Sequence, residues 1–147
     1  MNITTPKRRT WLPIGTALVL AVAAFSSYAG IAAAADVKVT LSGDQEAPPV
    51  TSAGTGTGTI TVGDDKSVKG SVTTKGIDGT AAHIHEAAVG KNGPVVIPLE
   101  KKGDTYTVPA NAKLTDAQFA TFKAGNLYVN VHTAAHPDGE LRAQLKP

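Results

Sequence analysis

The feature that most constrains the fold is a two-residue alternation, carried by short segments and broken at close intervals by turn residues. It is strictest from Gly54 to Val62, where Gly54, Gly56, Gly58, Ile60 and Val62 fall on one face of an extended chain and the threonines on the other. Glycine at alternate strand positions lets a neighbouring chain approach closely. So much glycine also raises a phosphate-binding loop, but no Gly-Lys-Ser/Thr follows and no helix begins there. The same period returns in Val37, Val39 and Leu41, separated by Lys38 and Thr40. Alternation of this kind, punctuated by Gly, Pro and Asn/Asp-Gly, predicts an all-β fold: an antiparallel, Greek-key-like sandwich or barrel.

The punctuation places the strands. Asp64-Asp65 turns the chain into a partner strand over 67–75, and Asp78-Gly79 turns it into the segment that carries His83 and His85. Asn92-Gly93 is a hairpin signal ahead of Val95, Val96, Ile97 and Leu99. His136-Pro137-Asp138-Gly139 suits a type I turn between strands over 127–133 and 140–145. Pro48 and Pro49 deny a regular ladder to the stretch from Gln45 to Val50, which reads as an edge or crossing segment. One helix is expected. Thr115 and Gln118 form a capping box, Leu114 and Phe119 occupy staple positions, and Gly125 supplies a stop. Phe119 and Phe122 would plug the end of the sandwich.

Residues 1–35 stand apart. Lys7, Arg8 and Arg9 precede an apolar run from Trp11 to Ile31 that ends in Ala32 to Ala35, the layout of an export signal. Arg8-Arg9 also fits a twin-arginine leader. Cleavage after Ala35, or after Ala29 at Ser27-Tyr28-Ala29, leaves one domain over 36–147, periplasmic or secreted and with no stable membrane insertion once the signal is removed. Without the leader's three cations, 11 Lys+Arg face 12 Asp+Glu. A chain so nearly neutral is a poor nucleic-acid binder, because that affinity rests on cations neutralising phosphates. The absence of cysteine excludes disulfides, thiolate metal sites and a cysteine nucleophile. Packing must therefore come from Val, Ile, Leu and Ala with four aromatics, Tyr106, Phe119, Phe122 and Tyr128.

All four histidines lie in two short segments, Ala82-His83-Ile84-His85 and Val131-His132-Thr133-Ala134-Ala135-His136. On a strand, His83 and His85 send both imidazoles to one face. Leu127, Val129 and Val131 form the apolar face of the later strand, which leaves Tyr128, Asn130 and His132 on the opposite one. Adjacent strands would bring His83, His85 and His132 together, with His136 offered by the following turn. Neutral imidazoles without thiolate suit copper or zinc best, with nickel behind, and the spacing does not choose between the first two.

These residues resemble the CHRD domain, named after chordin, which also occurs alone in exported bacterial proteins. The resemblance rests on Leu41-Ser42-Gly43-Asp44-Gln45-Glu46-Ala47-Pro48-Pro49-Val50, on Ala82-His83-Ile84-His85 with Gly93-Pro94-Val95-Val96, and on Tyr128-Val129-Asn130-Val131-His132-Thr133 with Pro137-Asp138-Gly139-Glu140-Leu141-Arg142. It implies a β-sandwich. A more distant similarity is to copper-zinc superoxide dismutases, whose β-barrels bind copper partly through an H-x-H strand pair. Their bridging histidine and aspartate have no counterpart here, which implies a single ion. His136 occupies a place that varies in the CHRD family and is the least secure ligand of the four.

Arg142 is the only arginine after the leader. If Leu141, Ala143 and Leu145 face the core, it projects to the other side, either steering an anion such as superoxide to the metal or pairing with Asp138 or Glu140. The expected function is that of an exported copper-binding protein, a carrier or buffer or an enzyme dismuting superoxide. The alternative is a metal-free interaction or matrix module. A hydrolase is disfavoured by the lack of a nucleophile elbow. No residue pattern specifies an oligomeric state.

Overall fold

The computed structural model describes residues 1–2 and 34–147. Except for Met1, Asn2, Ala34 and Ala35, the leader lies outside the described residues. Nine strands and one α-helix follow: β1 (Ala34–Leu41), β2 (Thr55–Gly63), β3 (Val68–Lys75), β4 (Gly79–Glu86), β5 (Val95–Pro98), β6 (Glu100–Lys102), β7 (Thr105–Thr107), α1 (Asp116–Lys123), β8 (Leu127–Thr133) and β9 (Leu141–Leu145). They make a five-stranded sheet ordered β1-β2-β3-β7-β6 and a four-stranded sheet ordered β5-β4-β8-β9. Every described pairing is antiparallel. Of the two all-β forms expected, the chain adopts the two-sheet one, and no closed barrel forms.

The alternation does what its period dictates. Val37, Val39, Leu41, Ile60, Val62 and Val72 of the larger sheet are buried in one cluster with Ala82, Ile84, Val129, Val131, Leu141 and Leu145 of the smaller. Burying each Val, Leu or Ile side chain stabilises by roughly 1.5–3 kcal/mol, which lets a core without disulfides hold. The glycine-threonine run is indeed a strand, and its glycines are needed for close approach: a Cβ on Gly58 would strike the Ser71 carbonyl and the Val72 backbone on β3.

Most turns fall where their residues predict. Asp64-Asp65 turns the chain between β2 and β3, with the Lys66 amide donating to the Gly63 carbonyl at 2.8 Å. The helix carries both bonds of its capping box: the Gln118 amide donates to Thr115 Oγ1, and the Thr115 amide to Gln118 Oε1. Gly125 ends it with φ +74°, and Phe122 is buried while Phe119 packs beside it.

Two turns are displaced. The bend before β4 lies at Gly76-Ile77, with Gly76 at φ +76°, and Gly79 of the expected Asp78-Gly79 turn is already the first residue of the strand. β4 and β5 are joined by a loop over 87–94 whose tight turn lies at Val89-Gly90, closed by the Lys91 amide donating to the Ala88 carbonyl, with Gly90 at φ +73°. Asn92-Gly93 is not the hairpin turn that its residues signal. Both residues are engaged by other parts of the chain: Asn92 Nδ2 donates to the Ala47 carbonyl, and the Gly93 carbonyl meets His85.

The sheet edges are tied in two ways. Ser42 and Arg142 exchange two backbone hydrogen bonds of 3.1 Å, linking the end of β1 to β9. On the other side, β5 and β6 are successive stretches of one chain that changes sheet at Leu99, whose amide donates to the Ala82 carbonyl. Pro94 precedes β5 and Pro98 closes it, and all three residues of β6, Glu100, Lys101 and Lys102, are exposed. Among the described residues, no helix is long and apolar enough to cross a membrane.

Candidate metal centre

The pairing of β4 with β8 assembles the site. His83 lies opposite Asn130, His85 opposite Tyr128, and Ala81 opposite His132. Side chains two apart share a face, so His83, His85, Tyr128, Asn130 and His132 project from the side of the sheet away from the main core. The period of two also sends Ile84, Val129 and Val131 inward, where they are buried.

That outer face is not open. Tyr128 and Asn130 are buried, as are Leu127, Val129 and Val131, so β8 is enclosed on both sides. Residues 43–50, containing Pro48 and Pro49, and the loop over 87–94 cover the polar side and are joined by the Asn92–Ala47 hydrogen bond. A buried polar layer results, containing Glu46, His85, Asn130 and Arg142.

Within it, His83, His85 and His132 each offer a ring nitrogen within 4.8 Å of those of the other two. Their ring centroids are 4.8 to 6.0 Å apart. The hydrogen bonds assign the protons. His85 Nδ1 faces the Gly93 carbonyl at 2.9 Å and His132 Nδ1 faces the Pro137 carbonyl at 2.9 Å. A carbonyl only accepts, so both Nδ1 atoms carry hydrogen and both Nε2 atoms present lone pairs. His83 Nδ1 then donates to His132 Nε2 across 2.9 Å. His85 Nε2 is buried and has no partner. Backbone carbonyls that hold the far nitrogen of an imidazole fix its tautomer and orientation in the way metal-binding histidines require.

Burial disfavours the charged form of two of the rings. Burial, followed by the neighbouring His132 and His85, pulls His83 below the ordinary 6.5. Burial also pulls His85 down, against the Gly93 carbonyl, with a further contribution from the Arg142 charge. The group fits a cation on three grounds: an orphaned buried nitrogen, three uncharged nitrogen donors, and a proton between His83 and His132 that an ion can replace.

His136 is not part of the cluster. It belongs to the turn before β9, where its amide donates to Thr133 Oγ1 and its carbonyl accepts from Gly139. The turn forms as its residues predict but does not bring the ring to the other three among the described ligand groups.

Arg142 does project away from the core, as the burial of Leu141, Ala143 and Leu145 requires. It nevertheless departs from both roles expected of it, because it is 1% exposed. Its Nη1 donates to the Lys91 carbonyl at 2.8 Å and to Asn92 Oδ1 at 3.3 Å. Its Nη2 donates to the Ala88 carbonyl at 3.2 Å and to Gln144 Oε1 at 3.1 Å. The guanidinium lies 3.5 Å from the centroid of Tyr128, whose ring in turn stacks on His85. A cation enclosed in this way anchors the loop over 87–94 and is withdrawn from passing anions. Neither Asp138 nor Glu140 pairs with it by a described hydrogen bond or ion pair. Glu140 instead accepts from Ser52 and Thr133.

Glu46 gives no sign of a buried role in the sequence. Burial pushes its carboxyl up to about 7, against the Arg142 charge and bonds from Ala47 and Asn130. A raised acid pKa contributes stability that is complete below the ordinary 4.5 and is lost as pH rises through about 7. Glu46→Gln in the metal-free protein should therefore raise unfolding stability above pH 7 by about 3 kcal/mol, and by little below pH 4.5. Urea unfolding at the two pH values measures the difference, and an equal effect at both would contradict a neutral buried acid.

The CHRD domain family matches residues 37–145. No curated protein and no solved structure matches the chain. The similarity to copper-zinc superoxide dismutases therefore finds no support among known proteins.

Proposed function

The chain belongs to the CHRD domain family, and we propose that it is an exported copper-binding protein whose ion is held by His83, His85 and His132. The observation that carries this reading is the buried, unpartnered Nε2 of His85, set beside two further imidazoles. An all-nitrogen donor set without thiolate accommodates either copper oxidation state, and among divalent ions copper stands highest in affinity for such a site. Zinc is the second choice. With Arg142 enclosed, the cation expected to draw in superoxide is engaged by the loop over 87–94, so binding, as carriage or buffering, is better supported than dismutation.

Ala34 and Ala35 pair with Gly63 and Val62 in β1. This supports the earlier of the two leader cuts, after Ala29, which keeps those pairs. Protein recovered from the periplasmic or secreted fraction of its native cells should begin near Gly30 by intact mass and carry one copper per chain. A mass starting at Asp36 would reject the cut, zinc alone would reject the copper assignment, and a metal-free chain would favour an interaction module.

A further inference from the structure

We propose that Asn130 is a fourth, oxygen ligand of the ion, its amide oxygen completing a four-cornered site with His83, His85 and His132. The inference rests on the metal-binding reading of the three histidines and extends it.

The register supplies the fourth corner. His83 sits directly across from Asn130 in the β4–β8 pair, His85 is two residues from His83 along one strand, and His132 is two residues from Asn130 along the other. Four side chains on one face of two adjacent strands thus outline a parallelogram, and three of its corners are the clustered imidazoles. Cross-strand and diagonal neighbours in such a pair lie within side-chain reach.

The state of the Asn130 side chain points the same way. The residue is 2% exposed, and its Oδ1 has no hydrogen-bond partner. The amide is oriented by groups that only accept or lie at its nitrogen. Nδ2 donates to the Asp138 carbonyl at 3.5 Å. It also lies on the Glu46 side of the layer, where a Cβ on Gly139 would meet both Nδ2 and Glu46 Oε1. Turning the amide over would set Oδ1 against the Asp138 carbonyl. Oδ1 is thereby turned away from the Asp138 carbonyl, on the face of the sheet that carries His83, His85 and His132. His85 has its proton on the Nδ1 that faces Gly93, so its Nε2 is a second buried lone pair without a donor. Leaving buried acceptors unsatisfied is costly, and a cation satisfies both at once. Gly139, at φ +132°, leaves the space in which Glu46 and Asn130 meet.

The test titrates Cu(II) into the purified metal-free protein and records its electron paramagnetic resonance spectrum. Asn130→Asp puts an anionic oxygen in the same place and should tighten binding on the order of tenfold, while Asn130→Leu should weaken it by a similar factor. Both should change the copper hyperfine splitting, which a residue that only props the fold would leave unmoved. Asn130→Asp keeps the shape of the side chain, so it decides the matter if Asn130→Leu fails to fold. Wild-type binding with unchanged affinity and spectrum in Asn130→Asp overturns the fourth ligand and leaves the three-histidine site standing. Failure of the wild type itself to bind Cu(II) removes both.

Discussion

Replacing His83, His85 and His132 together by alanine should abolish copper binding, whereas His136→Ala should leave the affinity nearly unchanged. The three clustered rings are set on strands, and two are fixed in tautomer by the Gly93 and Pro137 carbonyls. They offer nitrogen donors that need little rearrangement on binding. Removing even a supporting partner of a metal-bound histidine typically weakens binding about 10- to 100-fold, so each single ligand substitution should cost at least that much. Proton competition adds a second signature. His83 and His85 are held below the ordinary 6.5. Proton uptake by His83 and His85 should therefore lower the affinity only below that pH. Isothermal titration over a pH series measures both effects. Undiminished binding in the triple variant would exclude the site.

The second large effect concerns stability. Arg142→Met should destabilise the protein by about 3 kcal/mol, since a hydrogen bond to a charged group contributes about 1.5–3 kcal/mol and several are lost together. The substitution leaves the Lys91 carbonyl, Asn92 Oδ1 and Gln144 Oε1 without this donor, leaves the Ala88 carbonyl with the Lys91 amide alone, and removes the cation from Tyr128. Arg142→Lys should recover only part of this loss, because an ammonium cannot span the same fork of acceptors. Urea unfolding gives the comparison. An Arg142→Met protein as stable as the wild type would return Arg142 to the exposed, anion-steering role that its sequence context suggests.

The fold was legible where one rule governs a residue. Alternation and turn residues located the strands other than β6 and β7, the Thr115–Gln118 pair located the helix start, and the spacing of His83, His85 and His132 located the cluster. The outer side of β8 was not legible. Tyr128, Asn130 and His132 alternate with apolar residues just as solvent-facing residues would. Only the cover supplied by residues 43–50 and 87–94, distant in sequence, makes that side an interior.

The same cause accounts for the misplaced features. Asn92-Gly93 carries a local turn signal, but long-range bonds from Arg142 and His85 and to Ala47 hold it elsewhere. Arg142 reads as exposed because burying a lone arginine is rare without partners. Its partners here are mostly backbone carbonyls, which no side-chain pattern reveals. Glu46 lies beside two prolines in a stretch that reads as a crossing segment, and its burial depends on the packing partner that Asn130 provides.

The two tied margins of the sandwich bear on how the chain meets other polypeptides. An unpaired strand edge is a template on which a foreign strand can add and from which cross-chain aggregates grow. Here β1 and β9 meet through Ser42 and Arg142, and the opposite margin is one short stretch that switches sheets. Beside the half-exposed Val95, that stretch presents two prolines, unable to donate to an added ladder, and a Glu-Lys-Lys segment whose charges an incoming strand would have to desolvate. Strand addition is therefore disfavoured at that margin, and a partner meeting it would have to be recognised by side chains.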